Sequence, residues 1–235
     1  MFGLNPQSIV DRVKASGQPP RVPTLGESVA RGTIGFTLVS LGGFAPWMFA
    51  GQTFYHAVGE TGLYVACAVV FVVLSGLLLH RLIIGPGSLG RFYEVFTLAF
   101  LAYAVAWTIG WMTLRGNIGS IVGLLAGTAA MGVLLAQAFG ARNATWRIIA
   151  VLFVGNALGY FVGGWAHNAV LALKEFNVLG LVLDRPARAM LSKAIWGLFY
   201  GLGFGAGIGF AFHACQSEAR RLISTLQFSH DATGK

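Results

Sequence analysis

The sequence predicts an all-α integral membrane protein, built as a bundle of six transmembrane helices. Of its 235 residues, 56% are hydrophobic and only 10% are charged, and the mean hydropathy is +0.71. Soluble domains average about 25% charged and about 45–50% apolar residues. Several uncharged stretches of about 20 residues match the ~30 Å hydrocarbon core of a bilayer. None of them alternates like a strand, so helices must satisfy the backbone hydrogen bonds in lipid.

Six such stretches define the predicted spans and divide the chain into three parts. They cover approximately residues 33–51, 62–83, 95–114, 118–139, 148–169 and 194–213. Residues 33–213 therefore form the membrane domain, and residues 214–235 form a C-terminal tail. Residues 1–32 form a polar N-terminal arm that contains neither a secretory signal nor a span. A weak amphipathic pattern at Ile9, Val10 and Val13 leaves two alternatives for this arm, a short helix on the membrane surface or a disordered segment.

Local features refine this pattern. Pro46 predicts a kink in the first span, because proline removes a backbone hydrogen bond and clashes with the preceding turn. The short turn at residues 115–117 makes spans three and four antiparallel neighbours. Residues 170–193 are apolar and long for a connection between helices, so we expect an interfacial helix, a lid or a docking surface there. The aromatic residues near span ends are typical of interface anchors: Trp47, Tyr55, Trp111, Trp146, Trp165 and Trp196.

Basic residues are divided unequally between the two sides of this arrangement. The side of both termini carries Arg12, Lys14, Arg21, Arg31, Arg81, Arg91, Arg142, Arg147, Arg220, Arg221 and Lys235. The other side carries Arg115, Lys174, Arg185, Arg188 and Lys193. This bias of 11 to 5 predicts an integral protein of a bacterial inner membrane with both termini in the cytoplasm. Anionic lipid headgroups on the cytoplasmic side then account for the net charge of +8, and no nucleic-acid partner is expected.

Glycines recur every fourth residue in three spans. Spans four, five and six carry, in turn, Gly119, Gly123 and Gly127; Gly155, Gly159 and Gly163; and Gly197, Gly201, Gly205 and Gly209. Residues four apart share a helix face, so each set forms a ridge that lets another backbone approach closely, which favours helix association in lipid. We therefore expect glycine-ridge packing in a core of spans four to six, with the first three spans outside it. Because these glycines lie inside spans, they do not predict a phosphate-binding loop.

Three polar residues within or at the ends of spans are candidates for a transport path. Asn156 in span five is the deepest, Gln137 lies in span four, and Glu94 lies at the start of span three. Polar groups at membrane depth are costly and are often functional. The sequence therefore favours a channel or transporter for a small solute or ion. In the purely structural alternative, Asn156 bonds a neighbouring helix, and Glu94 pairs with Arg91 or Arg147.

Four histidines indicate a different function. His80 and His213 lie at the cytoplasmic ends of spans two and six, and His56 and His167 lie on the other side. A transmembrane electron carrier with two b haems requires two pairs of histidines, one pair for the axial ligands of each haem, and these four histidines lie at matched depths. Their position at or beyond the span ends argues against this alternative, because haem ligands should lie inside the bundle.

A third alternative is a non-catalytic subunit of a larger membrane complex, or a homo-oligomer, with the Phe- and Val-rich first half as its docking surface. The sequence contains no nucleophile elbow, zincin helix or paired carboxylates, so it predicts neither an enzyme nor a metal site. No cofactor is favoured, and haem b belongs only to the alternative above. Cys67 and Cys215 fall near opposite ends of the membrane and predict no disulfide.

Overall fold

The computed structural model describes residues 2–17, 21–49, 51–173, 177–178 and 181–233, and these are almost entirely α-helical. The helices are α1 (Pro6–Ala15), α2 (Leu25–Gly43), α3 (Ala45–Phe49), α4 (Gly51–Leu79), α5 (Ser88–Leu114), α6 (Gly116–Ala138), α7 (Thr145–Ala172), α8 (Arg185–Cys215) and α9 (Ser217–Thr233). A 3-10 turn at His80–Leu82 follows α4, and another at Arg142–Ala144 precedes α7. The two-residue strands β1 (Asn177–Val178) and β2 (Leu181–Val182) pair antiparallel between α7 and α8.

Six of the described helices are long and apolar enough to cross a membrane, which confirms the predicted all-α class and the predicted number of candidate spans. By length and composition the spans are Leu25–Phe49, Thr61–Leu82, Ser88–Leu114, Gly116–Ala138, Arg142–Ala172 and Arg185–Cys215.

The first and last spans begin earlier than predicted, because helix-capping residues precede them. Thr24 and Glu27 form a capping box, in which each side chain accepts a hydrogen bond from the backbone N–H of the other. This box starts α2 inside the predicted N-terminal arm. Asp184 caps α8 in a similar way by accepting from the N–H of Ala187. Much of the segment 170–193 therefore belongs to α7 and α8, and residues 174–176 and 179–180 lie outside the described residues.

The first span breaks at the predicted position. α2 ends at Gly43, and Pro46 lies in the first turn of α3, where a missing N–H costs no helix hydrogen bond. α4 also contains a break, at Gly59, whose φ of 70° lies in the left-handed region that favours glycine.

α8 lies between α2 and α7 and approaches the backbones of both. A Cβ on Gly205 would lie 2.5 Å from the carbonyl oxygen of Gly32 in α2. A Cβ on Gly203 would lie 2.3 Å from the carbonyl oxygen of Gly155 in α7. α5 and α6 form a second close pair, in which a Cβ on Gly123 would lie 2.7 Å from the carbonyl oxygen of Trp107. Only glycine fits at these positions without movement of the backbone.

This arrangement differs from the predicted core of spans four to six. The glycine ridge of α6 faces α5, and the ridge at residues 197–209 of α8 faces α2. The first span therefore packs one face into the core, which the prediction did not include, while its other face carries the exposed Ile34 and Leu38. Ser28, Gly32 and Thr37 give α2 a face on which α8 comes close, and a search for repeated glycines alone does not detect this face.

We call the end of the bundle that holds α1, α9 and the turns at 80–87 and 139–144 the terminal face, and the other end the opposite face. On the terminal face, α1 packs against α9 and buries Ile9, Val10 and Val13 in the protein core. The apolar side of α1 thus packs against the rest of the protein. The sequence predicted either a helix on the membrane surface or a disordered segment, and the structure shows neither. Asn5 caps this helix by accepting from the N–H of Ser8.

Gln216 joins the chain segments of the terminal face. Its side chain is buried just after α8, and its Nε2 donates to the carbonyl oxygens of Leu82 and Phe212, at 2.8 Å each. Its Oε1 accepts from the N–H of Ile84, also at 2.8 Å. One amide therefore fixes the connection between α4 and α5 onto the end of α8.

Candidate functional site

Three hydroxyl and amide groups meet in the interior of the bundle. Asn156 of α7 is completely buried, and its Nδ2 donates to the hydroxyl of Tyr103 in α5 at 2.9 Å. The Tyr103 hydroxyl lies 3.2 Å from the hydroxyl of Tyr200 in α8. We call Tyr103, Asn156 and Tyr200 the central cluster. It joins three different spans through polar atoms in an otherwise apolar region.

One end of the Asn156 amide has no protein partner. Its Oδ1 is buried and makes no hydrogen bond with any described residue. Exchanging the oxygen and nitrogen of the amide would leave the NH₂ group without a partner instead, because the Tyr103 hydroxyl reaches only one end. A buried polar atom without a partner costs about 1–3 kcal/mol of stability. The central cluster is therefore incompletely satisfied by the protein itself.

Aromatic rings surround the central cluster. The ring centroids of Tyr103 and Phe204 are 5.0 Å apart, and those of Phe36 and Phe204 are 5.2 Å apart. From Tyr103, ring contacts continue to the terminal face through Phe100, Phe96, Phe92, Phe212 and Phe139. The described interior between the central cluster and the terminal face is therefore filled by side chains.

A cavity of about 230 Å³ lies on the opposite face, and we call it the tryptophan pocket. It is lined by Trp47, Tyr160, Gly164, His167, Asn168 and Trp196. The centroids of Trp47 and Trp196 are 5.8 Å apart at 76°, and Trp196 Nε1 donates to the carbonyl oxygen of Tyr160 at 3.2 Å. The two indole rings are thus held nearly at right angles, one from the broken first span and one from α8.

Polar and charged atoms border the tryptophan pocket. Lys193 Nζ donates to the carbonyl oxygen of Trp47 at 2.9 Å and lies 4.5 Å from the centroid of its ring, within cation–π distance. The ring of His167 stacks on Trp47 at 6.4 Å, and its Nδ1 is buried with no partner among the described residues.

The tryptophan pocket and the central cluster are neighbours. The ring of Trp196 lies against that of Tyr200, with centroids 6.2 Å apart. Tyr160 forms the other boundary of the pocket, and its hydroxyl lies 3.3 Å from Ser120 Oγ. Trp196 therefore separates the pocket from the central cluster by the thickness of about one side chain.

The structure brings only one of the three predicted path residues into the interior. Gln137 and Glu94 are exposed on the outside of the bundle, unlike Asn156, so they do not line a common path with it. Gln137 borders a separate cavity of about 520 Å³, together with Arg142 and Trp146. Hydropathy cannot separate these positions, because the lipid-facing side of a membrane helix is as apolar as its buried side.

The four histidines lie at the two ends of the bundle, and the haem alternative stays a prediction. His80 Nδ1 lies 3.0 Å from the carbonyl oxygen of Gly76 in the preceding helix, α4. His213 Nδ1 lies 3.4 Å from Ser28 Oγ. The side chain of His56 is exposed, whereas His167 borders the tryptophan pocket. Among the described residues, no group of three or more His, Cys, Asp or Glu side chains could hold a metal ion.

Large apolar side chains are exposed on all six spans, for example Ile34 on α2 and Leu158 on α7. The first half of the chain is therefore not distinguished by its apolar surface, and the alternative of a docking subunit also stays a prediction.

Sequence reasoning missed most of the residues around these sites. Tyr103 and Tyr200 each place a hydroxyl in the middle of a span, and this was a usable signal, because a buried tyrosine hydroxyl needs a partner. Trp47 and Trp196 resemble interface anchors in sequence but line the tryptophan pocket instead. Trp146 and Trp165 fit the anchor interpretation better, with 82% and 74% of their surfaces exposed. Comparison of the chain with known protein families, curated proteins and solved structures finds no match.

Proposed function

We propose that this protein transports a small neutral solute across a membrane, and that the solute binds at the central cluster. The observation that carries the proposal is the unpartnered end of the Asn156 amide, held in the interior by Tyr103. A packing residue at this depth would gain stability by satisfying both ends of its amide or by being apolar. A solute that bonds the free end would complete the cluster.

The tryptophan pocket supports a route to this cluster from the opposite face. Its volume of about 230 Å³ lies below the range of about 300–1,000 Å³ that is common for ligand pockets, which favours a small solute. Trp196 lies between the pocket and Tyr200, so a rotation of this ring is the step that would connect them.

The chemistry of the interior favours a neutral solute with hydroxyl or amide groups. The buried polar side chains of the described residues are all uncharged, being Ser, Thr, Asn and Gln. A charged solute would lose its hydration without gaining a counter-charge, which is strongly unfavourable. A hydroxyl or an amide can donate and accept, and it can therefore pair with either end of the Asn156 amide.

The ring contacts below the central cluster favour a carrier over an open channel. Rings from Phe100 to Phe139 fill the interior toward the terminal face. A solute could pass only if helices moved, as in alternating access.

We also infer the membrane and the orientation from charge. The bias of 11 basic residues to 5 supports a bacterial inner membrane with both termini in the cytoplasm, so that the tryptophan pocket opens to the periplasm.

The experiment is solute flux into vesicles that contain the purified protein, measured by light scattering with glycerol, urea and acetamide. We expect the protein to speed the uptake of at least one of these solutes and Asn156→Leu to return the rate to that of empty vesicles. Asn156→Leu removes one hydrogen bond to Tyr103, whose hydroxyl keeps Tyr200 as a partner, and it also removes the buried oxygen without a partner. These two effects oppose each other, so the unfolding temperature should stay close to that of the native protein.

Gln137→Leu is the matched control, since it removes an exposed amide from the neighbouring helix, and its flux should stay at the native rate. Native flux in a folded Asn156→Leu protein would contradict the proposal. So would a large fall in its unfolding temperature, because that result would make Asn156 a structural residue. Failure to transport any of the three probes would contradict the proposed solute class.

A further inference from the structure

A third cavity, of about 650 Å³, runs along the outside of the bundle between α2 and α4 at the terminal face. We call it the arginine groove. Its basic rim consists of Arg21, Arg31 and Arg81. Its floor is the contact at which Leu79 of α4 fits against Gly35 of α2, where a Cβ on the glycine would lie 2.6 Å from Leu79 Cδ2. Both walls are membrane spans, so the groove opens toward lipid.

The rim carries more positive charge than its neighbours neutralise. Arg21 makes an ion pair with Glu27 at 3.4 Å. No carboxylate of the described residues makes an ion pair with Arg31 or Arg81, although the Glu27 carboxylate attracts Arg31 at longer range. These two guanidinium groups are free to form the paired hydrogen bonds that arginine makes with phosphate oxygens.

The walls below the rim are apolar and exposed. On α2, Arg31, Ile34 and Leu38 follow each other at spacings of three and four residues, which places them on one face of the helix. On the other wall, Leu78 precedes Arg81 by three residues. Ile34, Leu38 and Leu78 are 64%, 51% and 42% exposed, respectively. Each wall therefore carries an arginine at the end of the span and leucine or isoleucine deeper in the membrane.

We propose that the arginine groove is a specific binding site for one anionic phospholipid, whose phosphate lies between Arg31 and Arg81 and whose acyl chain lies along Ile34, Leu38 and Leu78. The positions of the charged and apolar residues match those of the two parts of a lipid. The arginines lie at the level of the headgroups, where basic residues bind anionic lipids, and the apolar walls continue at the depth of the acyl chains. A soluble anion would use the rim but not the walls. This inference is independent of the transport proposal.

The experiment measures the binding of phosphatidylglycerol and phosphatidylcholine, which have matched acyl chains, to the detergent-purified protein by native mass spectrometry. We expect phosphatidylglycerol to bind more tightly. The double variant Arg31→Gln, Arg81→Gln should bind it about 25-fold more weakly, at about fivefold for each arginine lost near the membrane surface. Both arginines lie at the rim of the groove, so the variant should fold normally.

The matched control is Arg142→Gln with Arg147→Gln, which removes the same charge from exposed positions on the same face. This control should keep native affinity for phosphatidylglycerol. Equal binding of the two lipids would overturn the proposal, and so would an equal loss in the control, which would show diffuse attraction only. Competition by inorganic phosphate at equal concentration would also overturn it, because the site would then recognise the anion without the acyl chain.

Discussion

Gln216 shows how much one side chain contributes at the residue scale. Its amide bonds the N–H of Ile84 and the carbonyl oxygen of Leu82, and all of these groups are buried. Gln216→Leu should leave both backbone groups without a partner, and each such group costs about 1–3 kcal/mol. We expect the unfolding temperature in detergent to fall by at least about 4 °C, given about 2–4 °C per kcal/mol for a chain of this size. Gln137→Leu, at an exposed amide, should not change it.

The contrast between Asn156, Gln137 and Gln216 shows what the sequence can say about single polar residues. It identifies Asn156 as deep, because residues on both sides of it are apolar for several turns. It does not reveal that Gln137 faces outward, because both faces of its helix are apolar. Gln216 is invisible to a search of the spans, since it lies just beyond the end of α8 and is buried only by the turn that it holds.

At the scale of helices, the contact of α8 with α2 makes a sharp prediction. Gly205→Leu should destabilise the bundle, because the first added carbon would already lie 2.5 Å from the carbonyl oxygen of Gly32. Overpacking of this kind costs about 1–3 kcal/mol and more when backbones must separate. Gly164→Leu is the matched control, since a Cβ on this helical glycine would meet no atom within 4 Å. Equal unfolding temperatures of the two variants in detergent would show that the α2–α8 contact does not hold the bundle together.

The number of helices and their approximate positions follow from the sequence, but their partners do not. The ridges of α6, α7 and α8 are visible as repeats, yet a ridge does not reveal which helix it faces. α6 packs on α5, its neighbour across a short turn, whereas α8 packs on α2 from the other end of the chain. The face of α2 mixes serine, threonine and glycine, so it has small residues without a glycine repeat.

For the whole molecule, the distribution of basic residues predicts the orientation. Green fluorescent protein becomes fluorescent only in the cytoplasm. A fusion after Lys235 should therefore fluoresce in bacteria, because the predicted orientation places both termini in the cytoplasm. Alkaline phosphatase fused within the turn at 115–117 should be active, because this enzyme needs the periplasm. The reverse pattern would contradict the cytoplasmic location of the termini. If the two reporters placed the C-terminus and the turn at 115–117 on the same side of the membrane, the six-span topology would be contradicted.

The close backbone contacts group five of the six spans into two blocks, and α4 packs against both of them through side chains. α2, α7 and α8 cannot slide past one another without separating glycines in contact, and the same holds for α5 and α6. The hydrogen bond between Tyr103 and Asn156 crosses the seam between these blocks. Near the terminal face the blocks are joined by the chain between α6 and α7 and by Gly132, on which a Cβ would lie 2.7 Å from Ile149. Toward the opposite face a hydroxyl pair, Ser120 and Tyr160, spans the seam. If the two blocks separated at the opposite face, the hydroxyl pair of Ser120 and Tyr160 and the hydrogen bond that holds Asn156 would both have to break.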